Sequence, residues 1–264
     1  MRINLLTALR YARGNRAAIA SHEGYVDYNL RCAETYNIPG LVQKAKQAGP
    51  CPEEPGSGWR YDFKRRPVHD KLLIKYRLDE IVEQGSTIEC ALRLMGWLTA
   101  HSCYNGMEIR ACFLFQGRRE TGDRLLRYTY NGGFARALNC RHKAMVLADL
   151  CMACGIAALP VELQNLPCNH FVVQVWLPEE RRWVMLDPSF NSYITDEAGR
   201  ALNLIEIKRQ HCAGKEMHVA QYDLNGTQDC RGIYLNDFIL GPLLHIMVDG
   251  AKRTATELLA KPNI

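Results

Sequence analysis

Apolar and polar positions alternate most clearly in four stretches of the chain. In "DKLLIKYRLDEIVEQG" and "STIECALRLMGWLTAHS" the apolar residues recur at threes and fours, which predicts two helices. The first is closed by Gly85, and the second is opened by Ser86 with Glu89 at capping-box spacing. Ile88, Ala91, Leu92, Met95 and Leu98 form the second helix's inward stripe, so Met95 and Trp97 need no cofactor to explain them. "ALNCRHKAMVLADLCMACGI", residues 137–156, predicts a third helix. Asn139 is a strong N-cap residue; Cys140, Ala144, Leu147, Cys151 and Cys154 share one inward stripe, and Gly155 ends it. His142 falls roughly 200° around the helix from Cys140 and is expected to be exposed. In "HFVVQVWLPEERRWVMLDPS" the period shortens to two, predicting a hairpin of two strands with a Pro-led polar turn around residues 178–181.

Between these stretches, "YNGME" predicts an Asn-Gly turn and "GRRETGDR" a charged surface loop. "GPCPEEPGSG" marks a Pro/Gly linker, placed at 49–68, that separates a helical leading segment, 1–48, from the remainder, 69–264. "INLLTALRYA" and "LVQKAKQA" supply the leading segment's apolar faces.

Composition narrows the function classes. A chain of 264 residues holds one well-buried domain plus a smaller appendage. The net charge of +5 comes with no basic run interleaved with aromatics, which argues against a nucleic-acid partner. Arg10, Arg13 and Arg16 interrupt the start as no secretory signal would. Asn236, Asp237, Gly241, Pro242 and His245 break the apolar tract Ile233–Val248, so no membrane partner is expected. Eleven cysteines without a disulfide-framework spacing read as reduced thiols of a soluble cytoplasmic protein.

The chemistry begins at Cys140. A cysteine in the first turn of a helix meets unsatisfied backbone amides and the positive end of the dipole, which favour its thiolate. An even-length hairpin loop puts His170, Val172, Gln174 and Trp176 on one face with Trp183, Met185 and Asp187. His170 then stands directly opposite Asp187 or, with the register out of step by two residues, diagonal to it; both arrangements bring imidazole and carboxylate within reach. Thiol, imidazole and carboxylate in that order suit acyl transfer: the histidine takes the thiol proton and returns it to the leaving amine, while the carboxylate holds the ring. Should Asp187 fail in that role, Asn169 and Asn191 are the next choices.

Three blocks of the sequence resemble the transglutaminase-like superfamily, a branch of the papain-like cysteine enzymes. "NCRHKAMVLADLCMACGI" is similar to the family's nucleophile helix, and "NHFVVQVWLPEERRWVMLDPS" to its histidine strand, turn and Asp-Pro-Ser ending. "DEIVEQGSTIECALRLMGWLTAHS" resembles the helices that precede the nucleophile in bacterial members. The resemblance implies an α+β fold with the nucleophile helix packed on an antiparallel sheet, a catalytic domain over 69–264 and a Cys140, His170, Asp187 triad. It also implies a side-chain donor to the oxyanion, for which Tyr104 is the candidate. No cofactor is expected, and the partner is a peptide, protein or small amide or amine substrate. Two alternatives stay open. Cys151, Cys154, Cys168 and His170 have the spacing of a structural zinc site, and a domain of this kind can be a catalytically silent binding module.

Overall fold

In the computed structural model, residues 21–53, 59–108, 121–226 and 231–262 are described, without the side chains at 29, 30, 32–34, 231 and 232. "INLLTALRYA" and part of the linker, 54–58, lie outside the described residues.

Local chemistry sets the helix boundaries. Helix α1 (His22–Thr35) starts at Ser21, whose hydroxyl accepts from the Gly24 amide at 3.0 Å. Helix α2 (Ile38–Gln47) follows Asn37, held in the left-handed region with φ 49°. The stretch expected to form one helix ending at Gly85 is two, α3 (Pro67–Tyr76) and α4 (Leu78–Ile81). Arg77 adopts φ 49° between them, and a left-handed residue cannot continue a right-handed helix. Helix α5 (Thr87–His101) has the Ser86–Glu89 capping box and buries Ala91, Leu94, Met95 and Leu98. The Asn105 carbonyl accepts from the Glu108 amide at 2.9 Å, closing the Asn-Gly turn. Residues 109–120 lie outside the described set, and "GRRETGDR" ends not as loop but in helix α6 (Gly122–Thr129). Helix α7 (Cys140–Ala153) is capped by Asn139 and stops before Gly155, which takes φ 76°.

The strands follow: β1 (Ala158–Asn165), β2 (Cys168–Leu177), β3 (Arg182–Leu186), and the short β4 (Tyr193–Thr195). Helix α8 (Leu204–Ala213) and strand β5 (His218–Ala220) come next. After α9 (Arg231–Tyr234) and a π-helical turn (Leu235–Leu240) come β6 (His245–Val248), β7 (Ala251–Lys252) and α10 (Ala255–Leu259). The main sheet runs β3-β2-β1-β6-β7 and is antiparallel throughout; β4 and β5 form a separate pair.

Both faces of the sheet are covered. Val173, Val175, Val184 and Leu186 point to α7 and α5 through Leu147, Leu150, Leu94 and Leu98. Val172, Trp176, Trp183 and Met185 point the other way, into a layer built from Ile205, Tyr234, Ile239 and, from α1, Tyr25. Each fully buried aliphatic side chain contributes about 1.5–3 kcal/mol over an exposed one. This is a mixed helix and antiparallel-sheet, α+β, architecture. Among the described residues no helix is long and apolar enough to cross a membrane.

Candidate active site

Helix α7 places the thiol. The Asn139 side chain accepts from the His142 amide at 3.0 Å, which fixes where the helix begins; loss of such a cap costs about 1 kcal/mol. Cys140 is thereby the first helical residue, half-buried, while Cys151 on the same helix is fully buried. His142 is buried as well, contrary to its expected exposure. The sheet and helices α3, α5 and α6 all pack on α7, so the side opposite its apolar stripe is also covered.

The hairpin places the other two groups. Its four-residue turn leaves Leu177 paired with Arg182 and Val173 with Leu186, the register two residues out of step with a direct His170–Asp187 pairing. Asp187 is therefore diagonal to His170, and the ring reaches it: His170 Nε2 lies 2.7 Å from Asp187 Oδ2. Both residues are buried. The remaining valences of the carboxylate are filled. Oδ1 accepts from the Ser189 amide at 2.8 Å, and Oδ2 accepts from the Tyr234 hydroxyl at 3.0 Å. Ser192 and Asp187 exchange backbone hydrogen bonds of 2.8 and 3.1 Å, closing the Asp-Pro-Ser turn. Asn169 instead donates to Glu162 at 3.1 Å, and Asn191 accepts from Gln221 at 3.3 Å.

With Nε2 engaged by the carboxylate, Nδ1 is the nitrogen left for a second partner, and Cys140 is close enough for its thiol to act on the charge of this imidazole. Burial opposes charge on the ring. The Asp187 carboxylate, its hydrogen bond to the ring and the Cys140 thiol outweigh that cost and raise the imidazole's pKa well above its usual value. Phe190 and Phe238 wall the ring at centroid distances of 5.8 and 5.6 Å. Tyr234 at the end of α9, Phe238 in the π-helical turn and Phe190 in the turn after β3 carry no motif; tertiary packing brings them to the site.

Tyr104 is brought beside the thiol by backbone pairing. It bridges to Leu138, with Leu138 N donating to Cys103 O at 3.0 Å and Asn105 N donating to Leu138 O at 2.9 Å. Its ring is fully buried, edge-on to Tyr25 at 5.5 Å and to Phe190 at 5.3 Å. Burial, then the Tyr25 and Cys140 groups, push its pKa well above the usual tyrosine range, so the hydroxyl keeps its proton. The Tyr104 hydroxyl hydrogen-bonds to Tyr25, and both hydroxyls converge at Gly106, where a Cβ would lie 2.9 and 2.8 Å from them. Glycine is required there by close approach.

The four groups of the zinc alternative are not gathered. Cys151 sits inside α7, Cys154 caps its end, Cys168 opens β2 and His170 is on Asp187. Among the described residues no three or more His, Cys, Asp or Glu side chains converge as metal ligands.

No protein-family pattern and no curated protein matches the chain. Among solved structures, a proposed cysteine protease from Cytophaga hutchinsonii is similar over 59% of this chain and 52% of its own, at 16% identity and a TM-score of 0.36. This chain thus spans about half the length of that protein. So distant a likeness carries no argument about activity.

Proposed function

We infer that the chain is a cysteine-dependent acyl-transfer enzyme of the papain-like, transglutaminase-like kind, acting on amide substrates through a thioester on Cys140. The observation that supports this most is the buried imidazole: His170 meets Asp187 through Nε2 at 2.7 Å and has Cys140 as the neighbouring thiol that acts on its charge. In the first half-reaction the Cys140 sulfur attacks the carbonyl carbon and a C–S bond forms. The Cys140 amide and Tyr104 hydroxyl stabilise the oxyanion. The C–N bond then breaks as His170 passes its proton to the departing amine. In the second half, water or an amine attacks the thioester while His170 takes its proton, and the C–S bond breaks to return the thiolate. Asp187 keeps the ring's tautomer and stabilises its charged form throughout.

Trapping tests this reading. The protein is incubated with a peptide and metabolite extract, quenched in acid and digested, and acyl groups on cysteine are located by mass spectrometry. An acyl adduct on Cys140, absent from His170→Ala, is the expected result. Adducts spread over other cysteines, or none on Cys140, would remove the acyl-enzyme from the account.

A further inference from the structure

Lys143 stands where a lysine is least expected. It lies in the first turn of α7, where the helix dipole disfavours a cation, and it is fully buried, which disfavours a cation again. Its Nζ donates to the Ser102 carbonyl at 2.9 Å and to the Ser102 hydroxyl at 3.1 Å. A neutral amide side chain can meet such acceptors without a buried charge, so hydrogen bonding alone does not account for an ammonium. Burial lowers its pKa to about 8, against the fields of Cys103, Asp187 and Asp223.

The surroundings supply a reason for the charge. Cys140 is one helical turn away on the same helix, a spacing that makes side chains neighbours. Ser102 begins the segment that pairs with Leu138 and carries Tyr104. During the proposed reaction the Cys140 thiolate, the His170 imidazolium and the Asp187 carboxylate sum to one net negative charge in a site where His170 and Asp187 are buried. An added ammonium brings that sum to zero.

We propose that Lys143 is a positioning residue for the reaction, a buried cation that balances the thiolate, imidazolium and carboxylate and clamps the Tyr104 segment against the start of α7. This rests on the acyl-transfer reading of Cys140. The titratable groups facing Lys143 are Cys103, Asp187 and Asp223, with Cys140 on its own helix.

The test is the pH dependence of Cys140 alkylation by iodoacetamide, resolved by mass spectrometry from about pH 4.5 to 9. In Lys143→Met the acid limb should move up by about one pH unit, slowing the reaction about tenfold near pH 6, as the loss of a cation at one-turn distance implies. Lys143→Arg keeps the charge and should restore the limb. Superimposed limbs for wild type and a folded Lys143→Met protein overturn the proposal, because a purely structural lysine does not move a thiol's titration.

Should the variants fail to fold, the wild-type protein gives the same answer in reverse. The Lys143 side chain is followed by lysine-selective NMR before and after Cys140 is capped as a neutral thioether. Linkage requires the ammonium to lose stabilisation when the thiolate goes, so its midpoint should fall by about one unit. An unmoved midpoint overturns the proposal. Neither readout involves acyl turnover: a shifted limb with no acyl adduct on Cys140 sinks the acyl-transfer reading and leaves Lys143's effect on the thiol in place.

Discussion

Among the described residues, two buried histidines lie against buried aspartates, and their surroundings differ. His69 reaches Asp149 at 3.2 Å, while its Nδ1 accepts from the Arg66 amide at 3.1 Å as part of the α3 cap. Asp149 also takes the Arg66 guanidinium on Oδ1 and the Gly122 amide, at 2.9 Å, on Oδ2. Both ring nitrogens are committed, and Nδ1 stays an acceptor only while it is unprotonated. That pair ties α3 and α6 to α7 as a structural staple. His170 shares the geometry of a ring on a carboxylate, yet its carboxylate is met by a hydroxyl and an amide rather than a guanidinium, and Cys140 is the neighbouring thiol that acts on the ring's charge. A histidine–aspartate contact is therefore not a site by itself. What distinguishes His170 is a thiol close enough to act on its charge, and a carboxylate without a permanent cation bonded to it.

The contrast breaks most sharply at the carboxylates. Asp187→Asn should cost on the order of tenfold to a thousandfold in acyl turnover, since an amide still holds the ring, and Asp187→Ala should cost more. Asp149→Asn should leave turnover per folded molecule within about tenfold and lower stability instead by about 1–3 kcal/mol, the usual cost of weakening a buried charged network. Turnover normalised to folded protein, with urea melts alongside, checks both. If Asp149→Asn and Asp187→Asn lose turnover equally, the two pairs are not different in kind.

A smaller effect sharpens the comparison. Tyr234→Phe removes one hydrogen bond to Asp187 and should slow turnover by about tenfold or less, in line with about 0.5–1.5 kcal/mol for a single bond. Its main sign should be a changed pH–rate profile rather than changed folding. An unaltered profile would reduce Tyr234 to packing among Phe190 and Phe238.

The remaining effect, at Lys143, is on stability rather than turnover. Below its folded pKa of about 8, the lysine is charged both folded and unfolded, and burial costs in full. Between about 8 and the ordinary 10.5 the unfolded chain holds a proton the folded one has shed, so the wild type should gain stability relative to Lys143→Met as pH rises through that window. Denaturant melts across it should show a positive slope; a flat difference contradicts the depressed ammonium.

Much of this site was legible along the chain. Asn139 announced the start of α7, and the alternation around Pro178–Arg181 put His170 and Asp187 on one face whichever register held. Three features were not legible, each for a physical reason. Strand β1 contains Pro160, which reads as a breaker. Pro160 lies two residues before the first β6 partner, Glu162, and the direction of the neighbouring bond from Trp176 N to Ala157 O turns its nitrogen away from β2, so no ladder bond is lost. The burial of His142 depends on helices packing all around α7, whereas a stripe of apolar residues announces only one side. The His69–Asp149 pair and the Tyr234–Asp187 bond join residues 80 and 47 positions apart, beyond the reach of any local pattern.

The measurement that tests the central distinction most directly is site-resolved alkylation of the folded protein at mildly acidic pH. Cys140, in the first turn of α7 and close to His170, should label first. Cys151 and Cys154, toward the other end of the same helix and with thiol pKa values raised by burial, Cys154 to about 11, should label only on unfolding. His170→Ala should bring Cys140 down toward the other thiols. Equal labelling of all three in the wild type, or a Cys140 rate untouched by His170→Ala, would contradict the account.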